Sequence, residues 1–186
     1  MKQDPRDGFS ASGVPLRHRQ AVEAQFDPEV VAKVKEGLFE RHGLVALVGP
    51  RGTGKTLLAA HAVRHSLFTH AREAKYIRAA DMFARMRAEM DESKAGIMLA
   101  QLSRVWLLVI DELQEAFGTA WEDKQLVRLL DKRYGEMQPT LLIANLRPEA
   151  MVKALGASIV DRMMETGGLV EMAGPSHRRV TTECKA

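Results

Sequence analysis

Residues 44–56, which read LVALVGPRGTGKT, place glycines, a lysine and a threonine at a spacing that suits phosphate binding. Gly49 is followed by four residues and then by Gly54, Lys55 and Thr56, which is the phosphate-loop pattern G-x-x-x-x-G-K-[ST]. Glycines let main-chain N–H groups approach phosphate oxygens, a helix start adds its positive end, and the lysine adds a full charge. We therefore predict a nucleoside triphosphate site.

The predicted nucleotide contacts cover the whole loop and the start of the following helix. They are Gly49, Pro50, Arg51, Gly52, Thr53, Gly54, Lys55, Thr56 and Leu57. The Thr56 hydroxyl would bind Mg²⁺. The alternative is a turn that only links strand to helix, which would not require a lysine and a threonine at these two positions.

Two carboxylates follow a second apolar run, residues 105–110 (VWLLVI), at positions 111 and 112. An apolar run of this length is typical of a buried parallel strand, and ligands of parallel sheets bind at the carboxyl ends of the strands. We assign Asp111 to the metal, and Glu112 to the activation of the attacking water. The alternative is two surface acids, which the nearby phosphate-loop pattern makes less favourable.

Asn145 ends a third apolar run, residues 140–144, and is the single asparagine of the chain. An amide at this edge can hydrogen-bond both the γ phosphate and a water molecule without charge repulsion. The alternative is that Asn145 begins a turn towards Pro148 and caps the following helix. Both roles are compatible with the sequence.

The elements that must hold these residues alternate between strands and helices. Strands are predicted at about 44–48, 75–78, 105–110, 140–144 and 169–172, with helices at about 28–41, 55–69, from 81, 94–103, 121–134, 148–154 and 157–165. This order predicts an α/β fold with a five-stranded parallel sheet sandwiched between helices. His61 and His65, one helical turn apart without a third ligand nearby in sequence, are interpreted as packing or surface residues.

The composition indicates a cytoplasmic protein of one domain. The 186 residues carry a net charge of +3 and a single cysteine, Cys184, which excludes a disulfide framework within the chain. No apolar leader or bilayer-length run is visible, so no membrane partner is expected. Basic clusters such as 17–19 and 177–179 can meet nucleic acid or can be solvated surface.

Taken together, these motifs resemble a known family. The string GPRGTGKTLLA, the acids after Ile110, Asn145, the unit 161–163 (DRM) and the segment 176–178 (SHR) are similar to bacterial replicative helicase loaders of the DnaC type and to IstB-like transposition ATPases. Both belong to the AAA+ class of P-loop NTPases. The resemblance implies the additional-strand type of sheet, in which one further strand places the phosphate loop beside the Asn145 strand.

The resemblance also implies roles for residues that the patterns alone do not select. Arg162 matches the arginine that reaches the ATP of a neighbouring subunit, and Arg178 matches the sensor arginine of the subunit's own site. Residues 12–17 are similar to the linker that passes the adenine. Ser158 stands where the family has a second arginine, which predicts a weaker contact between subunits. The implied organisation is an arm and linker (1–25), an AAA+ core (26–174) and a tail with the sensor arginine (175–186).

The function that the resemblance implies is an ATP-dependent DNA replication accessory protein. It would hydrolyse ATP with Mg²⁺, self-assemble in ATP, and bind single-stranded DNA and a replicative helicase. About 40 residues precede the first strand, so we expect any helicase contact to use the arm, another surface or a separate protein. The nearest alternative is a transposition helper that binds duplex DNA and a transposase. A small-molecule kinase is disfavoured because Glu112 stands where water would be activated, and an adaptor that hardly hydrolyses ATP is a further alternative.

Overall fold

The computed structural model describes residues 5–20, 23, 26–88, 96–115 and 119–174. Its strands are β1 (Leu44–Val48), β2 (Ala74–Arg78), β3 (Leu107–Asp111), β4 (Thr140–Ile143) and β5 (Gly168–Glu171). Its helices are α1 (Pro5–Ala11), α2 (Pro28–Lys35), α3 (Lys55–Phe68), α4 (Ala79–Ala88), α5 (Ile97–Arg104), α6 (Ala120–Gly135), α7 (Pro148–Leu155) and α8 (Ala157–Thr166). The predicted alternation of strands and helices is therefore confirmed.

All five strands are parallel and lie in the order β2-β3-β4-β1-β5. Strand β4 lies between β1, which leads into the phosphate loop, and β3, which ends at Asp111. The carboxyl ends of parallel strands share one edge of the sheet, so the loop, the carboxylates and Asn145 come together there.

Apolar side chains cover both faces of the sheet. One face packs against α4 to α8 through side chains such as Phe83, Leu129 and Met163, and the other packs against α1 to α3 through side chains such as Leu38 and Leu58. The strands themselves are buried on both sides, as their continuous apolar sequences indicate. The buried sheet thus supports the loops that follow the carboxyl ends of its strands.

The amino-terminal segment packs on this core. Helix α1 lies against α3, and Phe9, Ser12 and Val14 are buried. Ser12 O accepts a hydrogen bond of 2.7 Å from the Tyr76 N–H on β2. The last residues of this segment therefore reach the edge of the sheet.

Most predicted boundaries agree with the structure, and several local features differ. Strand β3 begins at Leu107 and not at 105, because Val105 is the residue that ends α5. The Asp27 side chain caps α2 by accepting from the Glu29 N–H at 2.8 Å, with Pro28 in the first turn. The predicted single helix over 28–41 instead changes to a π-helical turn over Glu36–Glu40. Helix α4 begins at Ala79, two residues before the predicted Asp81.

A buried arginine joins the starts of β3 and β4. Arg133 on α6 has no exposed surface, and its guanidinium donates to the main-chain carbonyls of Leu102, Val105, Trp106 and Pro139 and to Thr140 Oγ1. These contacts replace the water that a buried cation loses.

Within the described ranges, no helix has both the length and the apolar character required to cross a bilayer.

Candidate nucleotide site

The phosphate loop adopts the tight turn that its glycines predict. Gly49 has φ of 134°, and a Cβ at this position would lie 2.4 Å from Met172 O, so a side chain does not fit there. Gly54 has φ of 92° and forms the amino-terminal cap of α3, which starts at Lys55. The loop therefore presents main-chain amides next to the positive end of a helix of 14 residues.

Lys55 is held inside this loop. Its side chain is buried, and Nζ donates to Gly49 O at 2.8 Å and to Pro50 O at 2.6 Å. Burial lowers the pKa of Lys55, and the negative charge of Asp111 opposes this shift. The ammonium is thus fixed beside the main-chain amides where phosphate oxygens would bind.

Asp111 and Thr56 meet across the sheet edge. Thr56 Oγ1 donates to Asp111 Oδ2 at 2.8 Å, and the main-chain N–H of Glu112 donates to Asp111 Oδ1 at 2.7 Å. The Tyr76 hydroxyl also donates to Asp111 Oδ2, at 2.6 Å. A hydroxyl and a carboxylate are hard oxygen ligands, and Mg²⁺ at nucleotide sites takes one or two protein groups plus phosphate oxygens. The pair Thr56 and Asp111 therefore fits Mg²⁺.

Glu112 has a main-chain conformation that is uncommon for residues with a side chain. Its φ of 57° lies in the left-handed region, so the main chain leaves the extended conformation of β3 at this residue. Desolvation, together with the charges of Glu115 and Asp111, raises the pKa of Glu112. Arg78 at the end of β2 opposes this shift, with Nη1 3.9 Å from Glu112 Oε2. A raised pKa makes the carboxylate a better base for a water molecule.

Asn145 follows β4 in a bend at the same edge. Its main-chain N–H donates to Gln114 Oε1 at 2.9 Å. The predicted capping role is wrong, because α7 begins at Pro148 with Arg147 as its cap residue. The bend itself was predicted.

Most of the predicted site residues line one cavity of about 1160 Å³. These are Arg51, Gly52, Gly54, Lys55, Thr56, Leu57, Asp111, Glu112 and Asn145. Gly13, Pro15, Leu16 and Arg17 of the linker line the same cavity, and so does a basic wall formed by Lys75, Arg78 and Arg85. Gly49, Pro50 and Thr53 belong to the phosphate loop but do not line the cavity.

Arg162 is not among the residues that line this cavity. Its Nη1 pairs with Asp131 Oδ1 on α6, and its guanidinium carbon lies 5.4 Å from the centre of the Tyr134 ring. Arg178 lies outside the described residues. The structure therefore brings the phosphate loop, the two acids and Asn145 to one cavity. Arg162 instead contacts Asp131 and Tyr134 outside that cavity.

Two cavity residues that contact the predicted acids, Tyr76 and Arg78, were not predicted from the sequence. Tyr76 donates from β2 to Asp111, the predicted metal ligand, and Arg78 contacts Glu112 from the end of the same strand. Arg78 could have been found from the sequence, because it is a polar residue at the carboxyl end of a predicted strand. Such residues lie at the same edge of a parallel sheet as Asp111. Tyr76 lies inside the strand and gives no such signal.

Comparison with known proteins gives one family and several relatives. The profile of IstB-like ATP binding proteins matches residues 20–185. The replicative helicase loader DnaC of Escherichia coli K12 is 30% identical over 166 residues, which is 83% of this chain and 67% of DnaC. The chain thus spans about two thirds of that relative.

Solved structures share the fold at low identity. A crystal structure of the DnaC helicase loader matches with a TM-score of 0.72 and 20% identity, over 86% of this chain and all of that chain. The replication initiator DnaA, bound to AMPPCP and single-stranded DNA, matches with a TM-score of 0.67 and 22% identity, over 79% of this chain and 45% of that chain. These similarities confirm the predicted P-loop fold of the AAA+ type.

Proposed function

Because the chain belongs to the family of IstB-like ATP binding proteins, we propose that it is an ATP-hydrolysing accessory protein of DNA replication. It binds ATP with Mg²⁺, assembles with copies of itself, and acts on single-stranded DNA and a replicative helicase. The observation that carries the ATPase part is that Lys55, Thr56, Asp111, Glu112 and Asn145 line one cavity at the carboxyl edge of the sheet.

The phosphate loop and Lys55 would bind the triphosphate. The main-chain amides and the start of α3 offer positive charge, and the Lys55 ammonium already lies within the loop. Thr56 and Asp111 would hold Mg²⁺, which when bound neutralises charge that develops on the phosphates. Leu16 of the linker, which is 76% exposed beside this cavity, offers an apolar side chain to the adenine base.

Glu112 would take the proton of the attacking water, and Asn145 would orient that water. The carboxylate lies at the cavity wall with a raised pKa, and the amide lies on the neighbouring strand end. Asp111 accepts three hydrogen bonds from described residues, whereas the Glu112 carboxylate lies 3.9 Å from Arg78 Nη1 at the cavity wall, which favours Glu112 as the base. This division of roles supports hydrolysis rather than transfer to a small-molecule acceptor.

Arg162 would act on the ATP of a neighbouring subunit. Its position outside its own cavity fits a contact in trans, where an arginine stabilises charge on the γ phosphate. In the single chain Arg162 pairs with Asp131 and lies over Tyr134. Assembly would therefore require Arg162 to leave Asp131. Arg178 remains a proposed sensor of the subunit's own phosphates.

The relatives support the choice of partners. The E. coli relative is named as a replicative helicase loader, and the DnaA structure contains single-stranded DNA. The family profile itself supports the second candidate, a transposition helper that binds duplex DNA and a transposase. Both candidates use ATP as a switch that assembles the protein and is then hydrolysed to release it.

A binding experiment separates the two candidates. The full chain with Glu112→Gln, held in ATP and Mg²⁺, is titrated with a single-stranded and with a duplex oligonucleotide of the same sequence at several salt concentrations. Preference for the single strand, and recovery of a hexameric helicase with the ATP-bound protein, supports the loader. Preference for duplex and recovery of a transposase supports the second candidate, and binding to neither form of DNA contradicts both.

A further inference from the structure

Tyr76 makes a contact with the metal carboxylate that the proposed mechanism does not use. The Tyr76 hydroxyl lies 2.6 Å from Asp111 Oδ2, and its side chain lines the cavity although the residue is only 6% exposed. Tyr76 belongs to β2, at the edge of the sheet, whereas Asp111 ends the neighbouring strand β3. The hydroxyl therefore reaches the site from the side opposite β4.

The parallel register explains how the tyrosine reaches Asp111. Arg78 lies beside Asp111 and Tyr76 lies beside Val109, so the side chains of Tyr76, Val109 and Asp111 share one face of the sheet. This is the face that α3 covers, and α3 carries Thr56. The Tyr76 ring packs in that core while its hydroxyl points forward along the strand to the carboxylate.

The carboxylate of Asp111 has about four lone-pair positions. Among the described residues, Thr56 Oγ1 and the Tyr76 hydroxyl donate to Oδ2, and the Glu112 N–H donates to Oδ1. Both positions of Oδ2 are thereby occupied, and one position of Oδ1 is left for the water shell of a metal ion. Tyr76 thus helps to fix the orientation of the Asp111 carboxylate relative to Thr56.

The contact between Tyr76 and Asp111 is buried, where the loss of a hydrogen bond costs more than it does in water. Asp111 is 3% exposed, and a buried carboxylate that loses a hydrogen-bond donor is no longer held in one orientation. The contact is short, with the Tyr76 hydroxyl 2.6 Å from Asp111 Oδ2, and a phenol hydroxyl is a hydrogen-bond donor. The Tyr76 main chain is also fixed, because its N–H donates to Ser12 O at 2.7 Å.

We propose that Tyr76 is a positioning residue for magnesium-dependent nucleotide binding, and that it acts by holding the Asp111 carboxylate in one orientation. The inference rests on the proposed nucleotide site. In this role Tyr76 would contact neither phosphate nor metal; it keeps the Asp111 carboxylate, whose Oδ2 lies 2.8 Å from Thr56 Oγ1, in the orientation in which Thr56 and Asp111 would hold Mg²⁺.

The test compares nucleotide binding with and without the metal. The full chain and its Tyr76→Phe variant, at a concentration where both are single subunits, are titrated with a fluorescent ATP analogue in Mg²⁺ and in EDTA. Loss of one hydrogen bond to a charged acceptor should weaken binding in Mg²⁺ about 10-fold, with little change in EDTA. The matched control is Tyr134→Phe, the other tyrosine of the chain, whose hydroxyl donates to Glu165 at 2.6 Å. That variant should bind as the wild type does under both conditions.

A double-mutant cycle with Asp111→Asn tests whether the effect passes through Asp111. In the Asp111→Asn background, Tyr76→Phe should cause little further loss of binding in Mg²⁺. The proposal is overturned if Tyr76→Phe weakens nucleotide binding equally in the wild-type and the Asp111→Asn backgrounds. It is also overturned if Mg²⁺ raises the nucleotide affinity of Tyr76→Phe as much as, or more than, that of the wild type. If the wild type itself binds no nucleotide, the proposed function fails first, and the two failures are distinguishable.

A second measurement does not depend on folding of the Tyr76→Phe variant. In the Tyr134→Phe variant, fluorotyrosine incorporation labels Tyr76 alone, because the chain has two tyrosines. Adding Mg²⁺ to the ATP-saturated protein should shift the ¹⁹F resonance, since the acceptor of the phenol changes its environment. An unchanged resonance overturns the inference.

Discussion

The side chains of Thr56 and Asp111, 55 residues apart in sequence, meet at an Oγ1 to Oδ2 distance of 2.8 Å. Thr56 opens the helix after the phosphate loop and Asp111 ends β3, so the sheet order brings a hydroxyl and a carboxylate to one point. These are the oxygen ligands that Mg²⁺ takes when a triphosphate supplies the others. The proposed ATPase activity depends on that point of contact.

Lys55→Ala should lose ATP binding. The Lys55 ammonium lies within the phosphate loop, where it would make charge-assisted hydrogen bonds to phosphate oxygens. We expect affinity for ATP to fall by on the order of 100-fold, measured by titration of a fluorescent ATP analogue. Lys33→Ala, an exposed residue of α2, is the control and should leave affinity unchanged. Retained affinity in Lys55→Ala would contradict the assignment of the loop.

Arg162→Ala should bind ATP normally and lose the part of turnover that depends on assembly. An arginine that reaches the γ phosphate of a neighbour is typically worth about 10³ to 10⁵ in rate. The measurement is ATP turnover per subunit across a range of protein concentrations. Turnover per subunit that rises with protein concentration in the wild type but not in Arg162→Ala supports the contact with a neighbouring subunit. Identical curves for the two proteins would contradict that contact.

Asp131→Ala should have the opposite effect to Arg162→Ala. The Asp131 carboxylate holds the Arg162 guanidinium within its own subunit, and an arginine released from this pair is available to a neighbour. We expect half-maximal turnover at a lower protein concentration than in the wild type. Asp123→Ala, an exposed residue of the same helix, serves as control. A higher concentration requirement in Asp131→Ala would mean that Asp131 orients Arg162 for the contact instead.

The sequence predicted the parts of the site that local patterns determine. The phosphate loop needs glycines and a lysine within eight residues, and the strand before Asp111 is a continuous apolar run. Since ligands of parallel sheets bind at the carboxyl ends of the strands, these local predictions were enough to place Lys55, Asp111 and Asn145 at one edge.

The sequence did not predict contacts that arise only between distant elements. The donation from Tyr76 to Asp111 depends on the register of β2 against β3, which no local pattern encodes. The burial of Arg133 was missed because an arginine on an amphipathic helix is ordinarily assigned to the solvent. The capping role considered for Asn145 failed because the chain turns for two more residues before α7 begins.

Arg133→Met should destabilise the fold. The substitution keeps much of the side-chain volume but removes hydrogen bonds to four main-chain carbonyls and to Thr140 Oγ1. Buried acceptors that lose their donors raise the free energy of the folded state, and we expect a loss of about 3 kcal/mol in the free energy of unfolding. Urea denaturation measures this change. Arg128→Met, on the exposed side of the same helix, should change it by less than about 0.5 kcal/mol.

Acid should destabilise the protein through His65. Burial, with smaller contributions from the charges of Lys35, His70 and His61, lowers the pKa of His65 from 6.5 to about 4. The unfolded chain therefore takes up a proton before the folded chain does, so stability from the neutral ring is present above pH 6.5 and is lost as pH falls towards 4.

The measurement is the melting temperature from pH 7.5 to 5. Allowing for the partial exposure of the ring, the effect at pH 5 is about 1 kcal/mol. The His65→Gln variant, which has no proton to gain, should lose less stability over this range than the wild type. A wild-type and a variant curve that fall in parallel would show that other groups cause the acid sensitivity.

The most direct test of the central claim is phosphate release by the full chain and by Glu112→Gln, with ATP, Mg²⁺ and no added acceptor. We predict that the wild type releases phosphate, while Glu112→Gln binds ATP with similar affinity and turns over at least about 100-fold more slowly, because a general base is lost. Glu73→Gln, just before β2 at the opposite edge of the sheet, should match the wild type. Undiminished turnover in Glu112→Gln would contradict the proposed role of Glu112. A wild type that only transfers the phosphoryl group to an added acceptor, without releasing phosphate to water, would contradict the proposed hydrolysis.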